Sequence, residues 1–337
     1  MKNFIFLLFI SITIISCNTK SQLEGIWLGA YRIHHSGETP TITPFNSILD
    51  FSSNKVIIRN IDYHIFKNVD TKTIENFTLE NELLIIGNDT LNVKNVSKDS
   101  LVFSYYADYE RDIIFKKLKP KTQKKLPQIA NKAFELAGPN YLDSLDFLND
   151  SALLHLGNNY NNDNRVSNWT LYTYKSFNFL ILDDFKSTTF LIEEYNNQEI
   201  NLKLFGPRIK NFKLTKINNL TKDINLSGYW VSPFDDNNNL PVPPPYPSPE
   251  DSIDSQLYLK FEKDSLFIKQ YNEIKVMEWK LNSTNRFIYF PLNEDSINEI
   301  WKIIYLDSDK LEIEELHKFY SPNEIKKRTF KKMKNGW

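Results

Sequence analysis

The sequence predicts an all-β chain made of three tandem antiparallel meander modules. Three observations carry that prediction: short apolar runs at a regular spacing, two landmark segments that recur along the chain, and a shared opening motif in two modules. In the first module the apolar runs fall at 26–33, 47–51, 55–61, 74–79, 82–86, 90–96, 100–106 and 111–118, separated by Asn, Asp, Ser or Gly. A strand every 8 to 12 residues or so is the rhythm of a sandwich or barrel. Runs at 169–174, 179–182, 190–192 and 200–204 continue it, and 257–261, 287–290 and 311–314 follow in the last third. The stretch Gln128 to Leu136 is the one that reads as helical.

The first landmark closes each module. Segments 113–119, 209–216 and 328–334 share a Phe-Lys core with a further Lys four residues after Phe115, Phe212 and Phe330, so the copies lie 97 and 118 residues apart. The second landmark, Asp50-Phe51, Asp146-Phe147 and Lys260-Phe261 with the residues that follow, recurs after 96 and 114. Two landmarks agreeing on one period, with an insertion in the last copy, indicate tandem modules. The predicted partition is 23–119, 126–218 and 224–334, after a segment 1–16 and a short tether 17–22.

Leu23-Glu24-Gly25-Ile26-Trp27 and Leu226-Ser227-Gly228-Tyr229-Trp230 open the first and third modules. Gly lets a strand bend, and Trp two residues on shares its face, where it can plug a barrel end. The middle module offers only Ala137-Gly138-Pro139 nearby. A Gly-x-Trp start followed by a meander of short strands resembles the lipocalin-like domains of bacterial lipoproteins. The resemblance implies up-and-down barrels or half barrels, and binding rather than chemistry.

The N-terminus has its own pattern. Lys2 supplies a positive start, and Phe4 to Ile15 form an apolar stretch of secretory length. Such a stretch is short for the roughly 30 Å of a bilayer core. A cleaved ordinary signal or an uncleaved anchor helix are the other readings of this stretch. Ile14-Ile15-Ser16-Cys17 resembles the lipobox of bacterial lipoproteins. That resemblance implies cleavage before Cys17, diacylglycerol on its thiol, fatty acylation (palmitate) of its amine, and a cell-envelope location on a lipid anchor, the outer membrane favoured over the inner.

Cys17 is the only cysteine, so stability rests on apolar cores and not on disulfides. Without residues 1–16 the chain loses only Lys2 among its charges, leaving 40 basic against 42 acidic residues and a net charge of −2. That balance excludes nucleic acid as the expected partner. Lys116 to Lys125 holds six lysines and Pro120 and reads as a solvated linker. Leu240 to Pro249 is a polyproline II segment inserted after the first strand of module three. Tyr246 is its natural anchor, and the resemblance to lipocalin-like domains implies that the loop after the first strand is where a lid over the barrel mouth lies.

Catalytic patterns are missing. The sequence has no Gly-x-Ser-x-Gly elbow, no His-Glu-x-x-His helix and no glycine-rich phosphate loop. His34, His35 and His64 could converge only in part, because adjacent strand residues face opposite sides. The same alternation separates Asp183-Asp184, Glu193-Glu194 and Glu314-Glu315. Oxygen-rich loops at 158–164 and 235–239 lack the spacing of a calcium loop. No enzyme activity, cofactor or metal is expected. The favoured expectation is a non-catalytic envelope protein whose modules bind another envelope protein or an extracellular toxin. The alternative is a carrier for a small apolar ligand in one barrel mouth, with Trp230, Tyr258 and Phe261 as lining residues and Tyr246 above them.

Overall fold

The computed structural model describes residues 21–62, 72–119, 125–139, 141–155, 165–183, 187–217, 224–232, 256–270, 273–293, 296–316 and 326–334. They form three antiparallel sheets in chain order. The chain divides into two compact units, one of residues 1–128, 136–142 and 167–215, the other of 129–135, 143–166 and 216–337. The strands of the middle sheet are apportioned between both.

The first sheet contains β1 (Gly25–His34), β2 (Thr41–Pro44), β3 (Ser47–Ser52), β4 (Lys55–Asn60), β5 (Lys72–Glu80), β6 (Leu83–Ile86), β7 (Asp89–Val96), β8 (Ser100–Tyr106) and β9 (Glu110–Lys117). β3 to β9 form a meander, and β1 pairs with both β3 and β9, which closes eight strands into a barrel. β2 was not predicted; it pairs with the far half of β1. β1 can serve both neighbours because its register shifts between Gly29 and Tyr31, a bulge that bends the strand. A side chain at Gly29 would place its Cβ 2.5 Å from the Phe45 carbonyl oxygen, so the bend needs glycine.

Alternation buries one face of each strand. Trp27, Leu49, Phe51, Val56, Phe77, Leu84, Phe103 and Phe115 form the core of this barrel, with Phe51 and Phe77 edge to face at 5.0 Å. The third sheet repeats the arrangement residue for residue at its opening. Gly25 pairs with Phe51 and Trp27 with Leu49 and Lys117; Gly228 pairs with Phe261 and Trp230 with Leu259 and Lys332. Each indole donates to the carbonyl four residues back, Trp27 to Leu23 at 2.7 Å and Trp230 to Leu226 at 2.9 Å. Lys117 and Lys332 each stand 4.9 Å over the indole. Gly25 and Gly228 have φ of +119° and +117°, which L side chains rarely adopt. The motif is therefore a plug: a wedge of Leu and Trp at one barrel end, sealed by a lysine from the last strand.

The middle sheet is a closed barrel of β10 (Lys132–Gly138), β11 (Tyr141–Phe147), β12 (Ala152–His155), β13 (Arg165–Tyr174), β14 (Phe177–Asp183), β15 (Thr188–Tyr195), β16 (Glu199–Leu204) and β17 (Lys210–Lys216). The helix predicted over Gln128 to Leu136 is corrected to a turn and strand. Ala, Glu and Leu favour helix in isolation, but Asn131 takes a left-handed φ of 57° and Phe134 and Leu136 are buried on either side of exposed Glu135. Nor does the module open at Ala137-Gly138-Pro139, since Gly138 ends β10. The Ile217 amide donates to Ala133 at 2.9 Å, as Leu118 donates to Ile26 at 2.8 Å in the first barrel. That equivalence puts Phe134 in the place of Trp27, where its ring meets Phe147 edge-on at 5.8 Å.

The third sheet contains β18 (Gly228–Val231), β19 (Leu257–Phe261), β20 (Ser265–Gln270), β21 (Glu273–Glu278), β22 (Lys280–Leu281), β23 (Phe287–Asn293), β24 (Ser296–Leu306), β25 (Lys310–Leu316) and β26 (Lys326–Met333). Its order runs β21-β20-β19-β18-β26-β25-β24-β23-β22, open between the chain-adjacent strands β21 and β22. Trp230, Leu259, Phe261, Phe290, Trp301 and Phe330 lead its core.

Gly25→Ala and Gly228→Ala are each expected to destabilise the chain by about 1–3 kcal/mol through the forced φ. Urea unfolding measures this as a lowered midpoint at unchanged slope; an unchanged midpoint would mean the plug tolerates a side chain.

Candidate functional site

The plug fills only one end of the first barrel. Toward the other end the inward side chains of β3, β4, β8 and β9 leave a concavity of about 460 Å³, walled by Phe45, Leu49, Ile58, Phe103, Ile113 and Phe115. A pocket of some 300–1,000 Å³ is the usual size for a small-molecule site. Tyr105 and Tyr106 join the wall, and exposed Asp89 and Thr90 sit on the rim.

Two arginines face this interior. Residues directly opposite each other on paired strands share a face of the sheet. Arg32 lies opposite core residue Ile113, and Arg111 lies opposite both His34 and Tyr105. The Arg32 guanidinium lies 4.7 Å over the Phe45 ring. Arg111 lies 4.5 Å over Tyr109 and 5.9 Å over Tyr105. The Nε atoms of both arginines are buried without a hydrogen-bond partner among the described residues. The nearest carboxylate to Arg111 is Asp108, at 3.8 Å and 90% exposed, so solvent screens it.

His34 lies opposite Arg111 in the β1–β9 pairing. Its Nε2 contacts Thr43 Oγ1 at 2.9 Å and its Nδ1 contacts the Tyr109 hydroxyl at 3.2 Å. Burial lowers its pKa, and the charges of Arg32 and Arg111 lower it further. The imidazole is accordingly neutral at pH 7, and the fixed positive charge belongs to the arginines. A guanidinium with an unused N–H in a half-dry setting is a site for a carboxylate, sulfonate or phosphate oxygen. The arrangement sets two guanidinium groups beside an apolar chamber.

A second concavity of about 410 Å³ lies in the same unit, between β1–β2 and the β15 and β16–β17 region, with Ala30, Ile42, Pro44, Thr189, Phe205 and Pro207 among its walls. Asn46 spans it by donating to the Ser187 carbonyl at 2.5 Å. Thr189 Oγ1 is buried there without a hydrogen-bond partner among the described residues. Its cations, Arg208 and Lys210, are exposed at the edge.

The residues predicted to line a mouth lie in the third barrel and do not converge. Trp230 and Phe261 are core side chains, 0% and 1% exposed. Tyr258 points to the opposite, outer face, where its hydroxyl donates to Gln256 Oε1 at 2.9 Å. Cys17, Tyr246 with its proline segment, His64 and the loops 158–164 and 235–239 lie outside the described residues. His35 contacts Asp112 at 3.1 Å and not His34. Among the carboxylates, Glu193 pairs with Lys203 at 2.7 Å and Glu315 with Arg328. No group of three His, Cys, Asp or Glu among the described residues could hold a metal ion.

Arg32 and Arg111 were missed for different reasons. Arg111 shares parity with Ile113 and Phe115, so a charged residue on a core-facing register was legible. Arg32 is five residues from Trp27, and strict alternation would place it outside; the bulge at Gly29 restores it to the interior.

No protein-family model matches the chain, and no curated protein matches it in sequence.

Two outcomes follow from this geometry. Thr189→Val removes a buried hydroxyl that lacks a partner, and thermal unfolding should show equal or greater stability, by up to about 1 kcal/mol; a clear loss would mean the hydroxyl is bonded. His34 has a folded pKa below its ordinary 6.5, so the unfolded chain binds the extra proton. Stability is then full above about pH 6.5 and falls as pH drops through the window below it. His34→Gln should flatten that slope relative to the parent chain in urea titrations across pH 5 to 7.5 or so.

Proposed function

We propose that this chain is a lipid-anchored, non-catalytic envelope protein whose first barrel carries a small amphipathic anion. The single observation that supports the carrier reading most is the pair Arg32 and Arg111, which lie opposite the chamber-wall residues Ile113 and Tyr105 and whose Nε–H groups have no partner among the described residues. A filled barrel acting only through its outer surface has no use for two inward guanidinium groups, which cost free energy to desolvate unless an anion completes them. The ligand class is an aliphatic or aromatic body of modest size with a carboxylate or sulfonate end. Its body displaces water from Phe45, Leu49, Ile58 and Phe103, and its charged end takes the arginine N–H groups. The export pattern around Lys2, Phe4 to Ile15 and Cys17 supports the anchor.

Calorimetric titration with octanoate, and with octanol as its uncharged counterpart, tests the carrier. The acid should bind and the alcohol should bind at least about tenfold more weakly, one charge-assisted hydrogen bond being worth about 1.5–3 kcal/mol. Arg32→Met and Arg111→Met should each weaken the acid by a similar factor and leave the alcohol unchanged. Equal binding of acid and alcohol, or none of either, would sink the reading. For the anchor, Cys17→Ser should move the chain from the membrane fraction to the soluble one, and mass spectrometry of the parent should find acyl groups on Cys17; an unmodified Cys17 contradicts it.

A further inference from the structure

The second landmark has a role on the outside of the barrels. In the first barrel, cross-strand pairing lines up two outward rows, Ile26–Asp50–Ile57–Ile74 and Leu28–Ile48–Arg59–Lys72. The hairpin β13–β14 covers them within the same unit. Phe177 and Phe179 pack with Leu28 and Ile48, and Arg59 lies 5.5 Å over Tyr172. At the hairpin turn the Tyr174 hydroxyl donates to Asp50 at 2.7 Å and Lys175 Nζ stands 2.5 Å from the same oxygen. Burial and the Asp50 carboxylate hold the Tyr174 phenol in its protonated, donating form.

The other unit contains the same joint. Asp146, the repeat equivalent of Asp50, accepts from Asn282 Nδ2 and from Ser283 Oγ at 3.3 Å. After that turn, Phe287 and Tyr289 of β23 pack with Leu148 and Leu154. In both cases a carboxylate on the second strand of one barrel receives donors from the turn between the fourth and fifth strands of the next, counting β21 and β22, which are separated in the chain by Trp279 alone, as one strand, and the aromatics after the turn cover the surrounding apolar face.

The third barrel has the equivalent face in the same register. Its rows are Tyr229–Lys260–Phe267–Val276 and Val231–Tyr258–Lys269–Ile274. Ile274 and Val276 are 57% and 56% exposed. The carboxylate is replaced by Lys260, so the turn that fits must bring acceptors instead of donors. The fourth-to-fifth-strand turn of the first barrel does so: Glu80-Asn81-Glu82 is exposed, and Leu83 and Ile85 follow Asn81 at the spacing at which Phe177 and Phe179 follow Lys175. Leu83 is 43% exposed. Charge is reversed on both sides of the joint together.

We infer that the chain associates head to tail with a second copy, the β5–β6 hairpin of one copy docking on the outer face of β18–β21 of the other with Glu80 and Glu82 against Lys260. Such a contact is heterologous, so it extends into longer assemblies or closes a ring. Lys260 also lies 2.5 Å from Glu262 of its own chain, and the incoming carboxylates compete with that contact.

Sedimentation velocity of the purified chain over a wide concentration range tests this. The parent should show a reversible rise in sedimentation coefficient with concentration. Lys260→Glu and Glu82→Lys should each weaken association at least about tenfold, and the two together should restore it. Both substituted positions are surface or half-exposed, and circular dichroism of each variant verifies the fold. A parent that stays monomeric at every concentration overturns the inference, as does a double variant no better than the singles. Octanoate binding in the first barrel is read separately, so failure of one proposal leaves the other standing.

Discussion

Everything in the first barrel depends on the plug built by Leu23, Gly25, Trp27 and Lys117. The indole is held by its hydrogen bond to the Leu23 carbonyl and covered by the Lys117 ammonium. That arrangement satisfies the one polar atom of a large side chain in a fully buried place, which is what lets Trp close a barrel end without cost from an orphaned N–H. With one end filled, β1 must carry its outer half away from β3 to β2, and the bulge at Gly29 does this. The bulge then sets the parity of everything after it, including Arg32 and His34.

The chamber follows from that geometry. Large aromatics occupy the plugged half, while Phe45, Leu49, Ile58 and Ile113 leave space above them. The guanidinium groups of Arg32 and Arg111 stand 4.7 and 4.5 Å over the Phe45 and Tyr109 rings, and their Nε–H groups are buried without a partner among the described residues. Neutral His34 links β1 to Thr43 and Tyr109 beside the arginines. The outer faces use the same alternation for another purpose. Asp50 and Asp146 hold neighbouring hairpins, and the third copy carries Lys260 at the equivalent register position.

Much of the fold was legible in the residues. The eight runs read in the first module match β1 and β3 to β9 within about three residues, because turn residues punctuate each strand and apolar residues alternate within it. β2 was missed because Thr41 to Pro44 has little apolar content and pairs only with the bent half of β1. The middle module's start was misread since local helix propensity at Ala133, Glu135 and Leu136 was overridden by barrel closure. β21 and β24 were passed over, although both are strands: in β21 the alternating Ile274 and Val276 lie on the exposed face, and in β24 the run Ile303-Ile304-Tyr305 breaks alternation at a register shift. The candidate site was less legible than the fold. Trp230 and Phe261 stand out in the sequence as large aromatics near a proline-rich segment, yet size drives such side chains into the core; the signal lies in charges on a core-facing register, and the Gly29 bulge conceals half of it.

The most direct measurement of the central claim is the NMR response of the arginine Nε–H resonances on adding octanoate to the folded chain. The account predicts saturable shifts of Arg32 and Arg111 together with the methyl groups of Ile58 and Ile113, and none at Arg208. Shifts confined to Arg208 and the surroundings of Thr189, with Arg32 and Arg111 unmoved, would place the ligand in the other concavity and contradict it.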